Sequence, residues 1–200
     1  EVDLEKEIER KQFANLLKNE IDCLNCLINN AAFVGTTNLE GWAVDFEEQS
    51  LEAWRRALEV NLTAPFHLSQ ILSDVLKKSE GANIINIASI YGYLGPDWDL
   101  YENNDLSNAA AYSCSKAALL QLTRWLATTL APDVRVNSIS PGGIYRSQPE
   151  NFVEKYNRKT PLKRMAKEQD FAGTIAYLAS NASEYVTGEN LVVDGGLSAW

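Results

Sequence analysis

Tyr112 and Lys116 lie four residues apart in Ala111–Ala117, at the start of a segment that favours helix. On a helix, residues with this spacing share one face, a turn apart. A phenol normally loses its proton near pH ~10, and a nearby ammonium group favours the phenolate and lowers that pKa. The pair can therefore transfer protons, although an exposed lysine above an interfacial tyrosine would show the same spacing.

Strand-like and helix-like segments alternate along the chain. We predict strands at 22–28, 82–88, 134–140 and 190–194, and helices at 4–19, 50–78, 109–130, 149–157 and 168–180. Apolar strands that alternate with helices are typical of a parallel sheet covered on both faces. The sequence therefore predicts a doubly wound, Rossmann-like α/β fold, with residues 1–200 in one domain.

Asn29, Ser89 and Pro141 each come directly after a predicted strand. Because parallel strands end at the same edge of a sheet, we expect these residues to lie close together. Ligands of open α/β sheets bind in the crevice beyond that edge. The sequence therefore predicts a site there.

Asn61 lies one turn before Pro65, inside the predicted helix 50–78. Proline has no N–H group and interrupts helical hydrogen bonding, so we expect a kink or break at this point. The freed backbone groups can bind a side chain or a water molecule. The competing interpretation is a helix irregularity without a chemical role.

The order of these residues resembles the short-chain dehydrogenase/reductase family, whose catalytic set is Asn, Ser, Tyr and Lys. The matching residues here are Asn61, Ser89, Tyr112 and Lys116. Three short motifs also resemble the family: Asn29–Ala32, Pro141–Ile144 and Val193–Gly196. The resemblance runs from about Asp3 to Trp200.

The resemblance implies an oxidoreductase that transfers a hydride between NAD or NADP and a carbonyl or alcohol. Tyr112 would be the general acid/base, and Lys116 would lower its pKa and contact the nicotinamide ribose. Ser89 would orient the substrate, and Asn61 would hold a water molecule that connects the lysine to solvent. The residues expected along the cofactor are Asp3, Asn29, Ala31, Tyr112, Lys116, Pro141, Gly142 and Ile144.

The sequence departs from the family pattern at several points. Family members begin with a Gly-rich turn that holds the pyrophosphate, and this sequence contains none. We therefore expect the chain to be the C-terminal three-quarters of a longer protein. Ala32 stands where the family has a glycine. Arg146 stands where the family often has a threonine that binds the nicotinamide amide. Ser147 is the residue that we expect to make this amide contact instead.

The long segment Tyr91–Asn108 separates the predicted catalytic serine and tyrosine. Its aromatic residues could stack on a sugar, and its acidic residues could accept hydrogen bonds from hydroxyl or ammonium groups. Together with Gly142–Pro149, it resembles family members of flagellin modification and surface-polysaccharide synthesis. We therefore predict a substrate-specificity segment for a sugar-derived substrate, the alternative being a solvated surface loop. The residues concerned are Tyr91, Tyr93, Trp98, Tyr101, Asp97, Asp99, Glu102 and Asp105.

The composition excludes some partners. The net charge of −9 disfavours nucleic acid, whose binding proteins carry basic patches. No apolar run approaches the ~18 residues of a membrane span, so we predict no membrane partner. Free cysteines suit a reducing cytosol, so we predict a cytoplasmic location. No metal site is predicted, and the resemblance implies a homodimer or homotetramer.

Two other functions are possible interpretations of this sequence. A serine hydrolase would need Ser89 within Gly-x-Ser-x-Gly, which is absent, and His67 is the sole histidine. A non-catalytic family relative that acts as a binding or assembly partner is the main alternative, because the Gly-rich turn is missing. Cys23 and Cys26 form a C-x-x-C pattern in or entering an apolar strand, and we interpret them as buried structural thiols rather than a redox pair. Cys114 is the third cysteine.

Overall fold

A computed structural model describes residues 1–34 and 37–200. The chain forms one four-stranded parallel sheet in the order β1-β2-β3-β4. The strands are β1 (Cys26–Asn29), β2 (Asn83–Ile87), β3 (Arg135–Pro141) and β4 (Asn190–Val193). The predicted strand 22–28 starts later than expected, because pairing with β2 begins only at Cys26. Between the predicted strand 22–28 and the predicted helix 50–78, the sequence favours a loop at 29–49, and positions 35 and 36 of that loop lie outside the described residues.

Seven α-helices in the described residues accompany the sheet. They are α1 (Glu7–Glu20), α2 (Leu51–Leu58), α3 (Ala64–Ile71), α4 (Ser73–Leu76), α5 (Ala110–Leu130), α6 (Glu150–Lys159) and α7 (Ala172–Ala179). Ser50 caps α2 as its sequence position predicts, since its hydroxyl accepts a hydrogen bond of 3.0 Å from Ala53 N. Across the described ranges, no helix combines the length and hydropathy that a bilayer crossing requires.

Apolar side chains of the central strands alternate between the two faces of the sheet. Ile84 belongs to a buried cluster with Leu126 of α5, whereas Ile85 belongs to a second cluster with Leu178 of α7. Since successive strand residues point to opposite faces, helices cover both sides. The predicted doubly wound α/β fold is confirmed.

The predicted helix 50–78 is interrupted before Pro65, as expected. Residues Glu59–Thr63 form a π-helical turn in which Ala64 N bonds to Glu59 O. Such turns widen a helix locally and are frequent at functional sites. Asn61 lies in this turn and is fully buried.

A buried arginine joins α1 to the helices that carry this turn. Arg10 Nε donates to His67 Nδ1 at 3.1 Å, and another nitrogen of the guanidinium lies 2.7 Å from a Glu59 carboxylate oxygen. The guanidinium also donates to Leu4 O. Burial lowers the pKa of His67, and the neighbouring Arg10 charge lowers it further. His67 is therefore a neutral acceptor in a charged cluster.

His67 predicts a specific pH dependence of stability. Its pKa in the folded chain lies below the ordinary value of 6.5, so the unfolded chain binds more protons as pH falls through 6.5. The free energy of unfolding should therefore decrease below that pH and be insensitive to this group above it. Denaturant unfolding of wild type and His67→Gln at pH 7.5 and 5.5 checks this, because the variant should lose less stability on acidification. Equal losses in the two proteins would exclude the effect.

Candidate active site

The structure brings the residues that follow the strands to one edge of the sheet. Asn29 is the last residue of β1 and pairs in register with Asn86, while Ile87 of β2 pairs with Ile139 of β3. Ser89 lies two residues beyond Ile87. The carboxyl ends of three parallel strands therefore meet at the sheet edge where the sequence predicts a site.

Lys116 and Tyr112 lie on the face of α5 that contacts this edge. Lys116 is 3% exposed, and its ammonium donates a 2.7 Å hydrogen bond to the Ile87 carbonyl. The same nitrogen lies 5.9 Å from the centroid of the Tyr112 ring. Because Ile87 ends β2 just before Ser89, this hydrogen bond holds the pair beside the serine.

Burial shifts the pKa values of both groups in opposite directions. It lowers the pKa of Lys116 to about 8, which leaves the ammonium mostly charged at neutral pH. It raises the pKa of Tyr112, an increase opposed by the Ser89 hydroxyl and supported by Tyr101. We expected Lys116 to lower the pKa of Tyr112, and in the structure the net shift is upward because desolvation of the phenolate dominates. The phenol is thus protonated at neutral pH and able to donate.

The Asn61 side chain is occupied by protein partners rather than directed at Lys116. Its Oδ1 accepts from Phe33 N at 2.7 Å, and its Nδ2 donates to Ser115 Oγ at 3.0 Å and to Phe33 O at 3.2 Å. The amide therefore ties the loop after β1 to α5, next to Lys116. The Asn61 side chain therefore positions the loop after β1 against α5. Only the backbone of the π-helical turn remains available to bind a water molecule that could relay protons.

The predicted cofactor residues of β1 differ in exposure. Asn29 is buried, and its Nδ2 donates to Asn86 Oδ1 at 2.8 Å. Asn86 in turn donates to Thr123 Oγ1 of α5 at 2.9 Å. Ala31 is exposed beyond the strand end. A buried polar chain thus fixes α5 against the sheet directly beneath the site.

The turn after β3 is held close to its neighbours. Gly142 N donates to Val193 O at 2.9 Å, and Gly143 N donates to the Tyr156 hydroxyl at 2.5 Å. A Cβ atom at Gly142 would lie 2.8 Å from Asp194 Cα, so the turn requires glycine there. Pro141–Ile144 is therefore a fixed wall of the site, supported from below by Tyr156.

Asp3 lies at the start of the described chain, in contact with its own neighbours. Its carboxylate accepts from Glu5 N at 3.0 Å and lies 3.2 Å from Lys6 Nζ. The backbone hydrogen bond and then Lys6 lower its pKa. Asp3 is thus an exposed, ionised acceptor.

The edge fits a nicotinamide cofactor. Lys116 has three N–H groups, and Ile87 O is the acceptor found for them among the described residues. The other two N–H groups of Lys116 can donate hydrogen bonds to the hydroxyl groups of the cofactor ribose. Pro141–Ile144 supplies the rigid wall beside them.

Arg146, which stands where the family often has a threonine, forms an exposed ion pair with Glu168. Its backbone N donates to Gln148 Oε1 at 2.7 Å. Ser147 is exposed beside it.

The acidic residues of Tyr91–Asn108 are mostly paired with lysines, contrary to expectation. Lys159 Nζ lies 2.5 Å from Asp97 and 2.9 Å from Asp99, and Lys155 lies 3.8 Å from both Asp99 and Glu102 carboxylates. These contacts attach the segment to α6, and the three acid side chains remain 45–67% exposed.

The same segment has more internal structure than a plain loop. It contains 3-10 turns at Ile90–Gly92 and Trp98–Tyr101, and Leu100 is buried. Leu100 packs in a cluster with Tyr156 of α6. The packing of Leu100 disagrees with the alternative interpretation of this segment as a solvated surface loop. Tyr156, which joins the segment to the Gly143 turn, was not singled out by sequence reasoning.

The prediction of buried thiols at Cys23 and Cys26 is wrong for Cys23. Cys23 and Cys114 are exposed, because Cys23 precedes β1 and Cys114 lies on the solvent side of α5. Cys26 is half-buried, donates to Asn83 Oδ1 at 3.1 Å, and has a pKa raised by burial. A raised pKa disfavours the thiolate that redox chemistry needs.

Two cavities lie near the start of α5 and the turn after β3. One of about 510 Å³ is lined by Phe46, Trp98 and Cys114, on the side of α5 away from Lys116. The other, of about 230 Å³, is lined by Gly142, Tyr156 and other residues around that turn. The chemistry-bearing side chains face the sheet edge rather than the larger cavity. The sole histidine, His67, bonds to Arg10, so the serine hydrolase interpretation gains no support.

Comparisons with known proteins agree with this geometry. A family model described as Enoyl-(Acyl carrier protein) reductase matches residues 1–198. The post-translational flagellin modification protein A of Campylobacter coli is 34% identical over 210 residues, which cover 96% of this chain and 82% of that protein. The 7alpha-hydroxysteroid dehydrogenase of Bacteroides fragilis is 32% identical over 194 residues, covering 94% and 70% of the two chains.

A solved structure extends the comparison to three dimensions. The crystal structure of a short chain dehydrogenase from Leptospira borgpetersenii with bound NAD+ superposes with a TM-score of 0.86 at 35% identity. The match covers 98% of this chain and 74% of that one. The chain belongs to the short-chain dehydrogenase/reductase family of NAD(P)-dependent oxidoreductases.

Proposed function

We propose that this protein transfers a hydride between NAD or NADP and a carbonyl or alcohol, with Asn61, Ser89, Tyr112 and Lys116 as its catalytic group. The observation that supports this most is the Lys116 ammonium, buried beneath the Tyr112 ring and hydrogen-bonded to the strand end beside Ser89. A buried lysine is costly unless its charge is used or paired, so its position indicates chemistry.

Each side chain has a distinct task in the proposed reaction. Ser89 holds the substrate oxygen, and Tyr112 donates its phenolic proton to that oxygen in reduction or accepts the proton in oxidation. The Lys116 charge stabilises the phenolate that forms when the proton leaves. The nicotinamide, when bound, supplies or accepts the hydride. The backbone of the π-helical turn at Asn61 provides the route by which the phenol recovers its proton.

The remaining proposed contacts are to the cofactor. Lys116 would donate to the ribose, and Asp3 would contact the adenine end. Pro141–Ile144 would flank the nicotinamide, because this turn is fixed by β4 and Tyr156. The residues proposed to line the cofactor are Asp3, Asn29, Ala31, Tyr112, Lys116, Pro141, Gly142 and Ile144.

The substrate we propose is a polyhydroxylated, sugar-derived carbonyl or alcohol. The likeness to a protein named for flagellin modification supports this class. Because three of the four acids in Tyr91–Asn108 pair with lysines, recognition of its hydroxyl groups falls to the aromatic residues of that segment. We place the protein in the cytoplasm as a homodimer or homotetramer, with α5, which exposes 53% of Trp125, in the contact between copies.

Replacement of Tyr112 by phenylalanine tests the proton-transfer role. The variant keeps the ring and loses the proton, so kcat should fall by ~10²–10⁴-fold while NADH affinity stays unchanged. Steady-state reduction of hydroxycyclohexanones and fluorescence titration with NADH and NADPH measure the two quantities. Tyr185→Phe, at a fully exposed tyrosine, is the matched control. Activity within threefold of wild type would refute the assignment. NAD(P)H binding without turnover by wild type would favour the non-catalytic alternative.

The pKa of Lys116 predicts the pH profile of reduction. The lysine is charged below its pKa of about 8, so kcat/KM should be full at pH 7 and fall as pH rises through 8. Lys116→Arg retains its charge to a far higher pH, and whatever activity it keeps should lack this decline. Rates measured from pH 6 to 10 at saturating NADH or NADPH give the comparison. A flat wild-type profile across this range would show that the charge is not required.

A further inference from the structure

Two tyrosine hydroxyls of the long segment are paired beside the proposed catalytic serine. The Tyr91 and Tyr101 hydroxyl oxygens lie 2.7 Å apart. Tyr91 follows Ser89 by two residues, and its backbone N donates to the Ser89 hydroxyl at 3.2 Å. The pair is therefore anchored to the serine at one end.

Tyr101, the second member of the pair, packs against a row of aromatic rings. The Tyr101 and Phe152 ring centroids lie 5.7 Å apart, and Phe152 stacks on Tyr156 at 6.0 Å. Tyr156 accepts the hydrogen bond from Gly143 N. This aromatic row (Tyr91, Tyr101, Phe152 and Tyr156) thus spans the site from the serine to the turn after β3.

The ring of Tyr101 is already in contact on two sides. Trp98 lies 5.7 Å from it in addition to Phe152, so the ring has protein neighbours where a sugar would stack. Its hydroxyl is the group left for recognition. This differs from the stacking role that the sequence suggests for the segment.

The hydroxyl pair retains hydrogen-bonding capacity. Two hydroxyls contain two protons, and their mutual hydrogen bond uses one of them. In residues 1–34 and 37–200, no other protein partner is found for either hydroxyl. Burial raises the pKa of Tyr91, and Tyr101 adds to the increase, so Tyr91 stays neutral and keeps its proton. One O–H donor therefore remains available to a ligand.

The pair is also held in place before any ligand arrives. Lys159 of α6 forms ion pairs with the carboxylates of Asp97 and Asp99, at the turn that carries Tyr101. Lys155 of α6 contacts the backbone of the same turn, since its Nζ donates to Asp99 O at 2.6 Å. Asn151 of α6 donates to Asn103 O at 2.6 Å. Fixing the groups in advance reduces the ordering that binding would otherwise require.

We propose that the Tyr91–Tyr101 hydroxyl pair is a specificity subsite that hydrogen-bonds a substrate hydroxyl other than the one that reacts. The proposal rests on the proposed function and narrows its substrate to cyclic ketones or alcohols that carry a second hydroxyl. A substrate without that hydroxyl leaves the spare O–H unpaired, and a single neutral hydrogen bond corresponds to about 3- to 10-fold in affinity.

Tyr101→Phe tests the subsite because it keeps the ring packing and removes one hydroxyl. The probes are cyclohexanone and the 2-, 3- and 4-hydroxycyclohexanones, with NADH and NADPH. Wild type should prefer at least one hydroxylated ketone, and the variant should lose about 3- to 10-fold of kcat/KM on it, through KM. Tyr101 also helps raise the pKa of Tyr112, so cyclohexanone turnover can change as well, and the readout is the ratio of kcat/KM on the hydroxylated ketone to kcat/KM on cyclohexanone, which should fall by about 3- to 10-fold.

Two further variants separate recognition from structure. Tyr91→Phe should reproduce the loss, and the double variant should lose little more, because both changes break one hydrogen-bonded unit. Tyr185→Phe, at an exposed tyrosine, should match wild type on every probe. An equal fall on hydroxylated and unsubstituted ketones, or no fall at all, would overturn the subsite.

A binding measurement keeps the subsite distinguishable from the proposed function. If wild type turned over none of the probes, hydride transfer to such ketones would be contradicted. Saturation-transfer NMR of the hydroxycyclohexanones with wild type and Tyr101→Phe still tests recognition in that case. Weaker binding by the variant supports the subsite, and equal or absent binding contradicts it.

Discussion

The site depends on one hydrogen bond, from the buried Lys116 ammonium to the carbonyl of Ile87. Removing a charged group from water is costly unless it is hydrogen-bonded, so this contact fixes where α5 can lie against β2. The register of α5 then determines the position of Tyr112, one turn earlier on the same face. The strand that supplies the carbonyl also supplies Ser89. One interaction therefore aligns Tyr112, Lys116 and Ser89, which we propose as the acid, its charged neighbour and the substrate-orienting hydroxyl.

Buried polar contacts support this alignment from two sides. The chain of side chains from Asn29 through Asn86 to Thr123 connects β1 and β2 to the middle of α5. The Asn61 amide connects the loop after β1 to Ser115. Since each buried amide must find partners, these contacts resist sliding of α5 along the sheet. The chemistry thus occurs on a scaffold whose parts cannot shift independently.

Local sequence signals predicted the fold and the position of Asn29, Ser89 and Pro141 at one edge of the sheet. Alternating apolar strands and helices gave the parallel sheet, and Pro65 marked the helix break that the structure shows as a π-helical turn. The position of Asn29, Ser89 and Pro141 after strands was enough to place them at one edge. These features depend on residues close together in the chain, which is why the sequence could predict them.

Contacts between distant residues could not be predicted in the same way. The acids Asp97 and Asp99 suggested substrate acceptors, but Lys159, about sixty residues later, binds both. The upward pKa shift of Tyr112 was missed because spacing shows a neighbouring charge and does not show the extent of burial. Similarly, exposure of Cys23 depends on where strand pairing begins.

The burial and hydrogen bonding of Lys116 are the central claim, and ¹⁵N NMR of the lysine side chains tests them directly. The Lys116 Nζ resonance, assigned by its loss in Lys116→Arg, should titrate with a pKa of about 8 and exchange slowly with solvent. A titration near the ordinary 10.5, with rapid exchange, would show that the ammonium lies in water and would contradict the account.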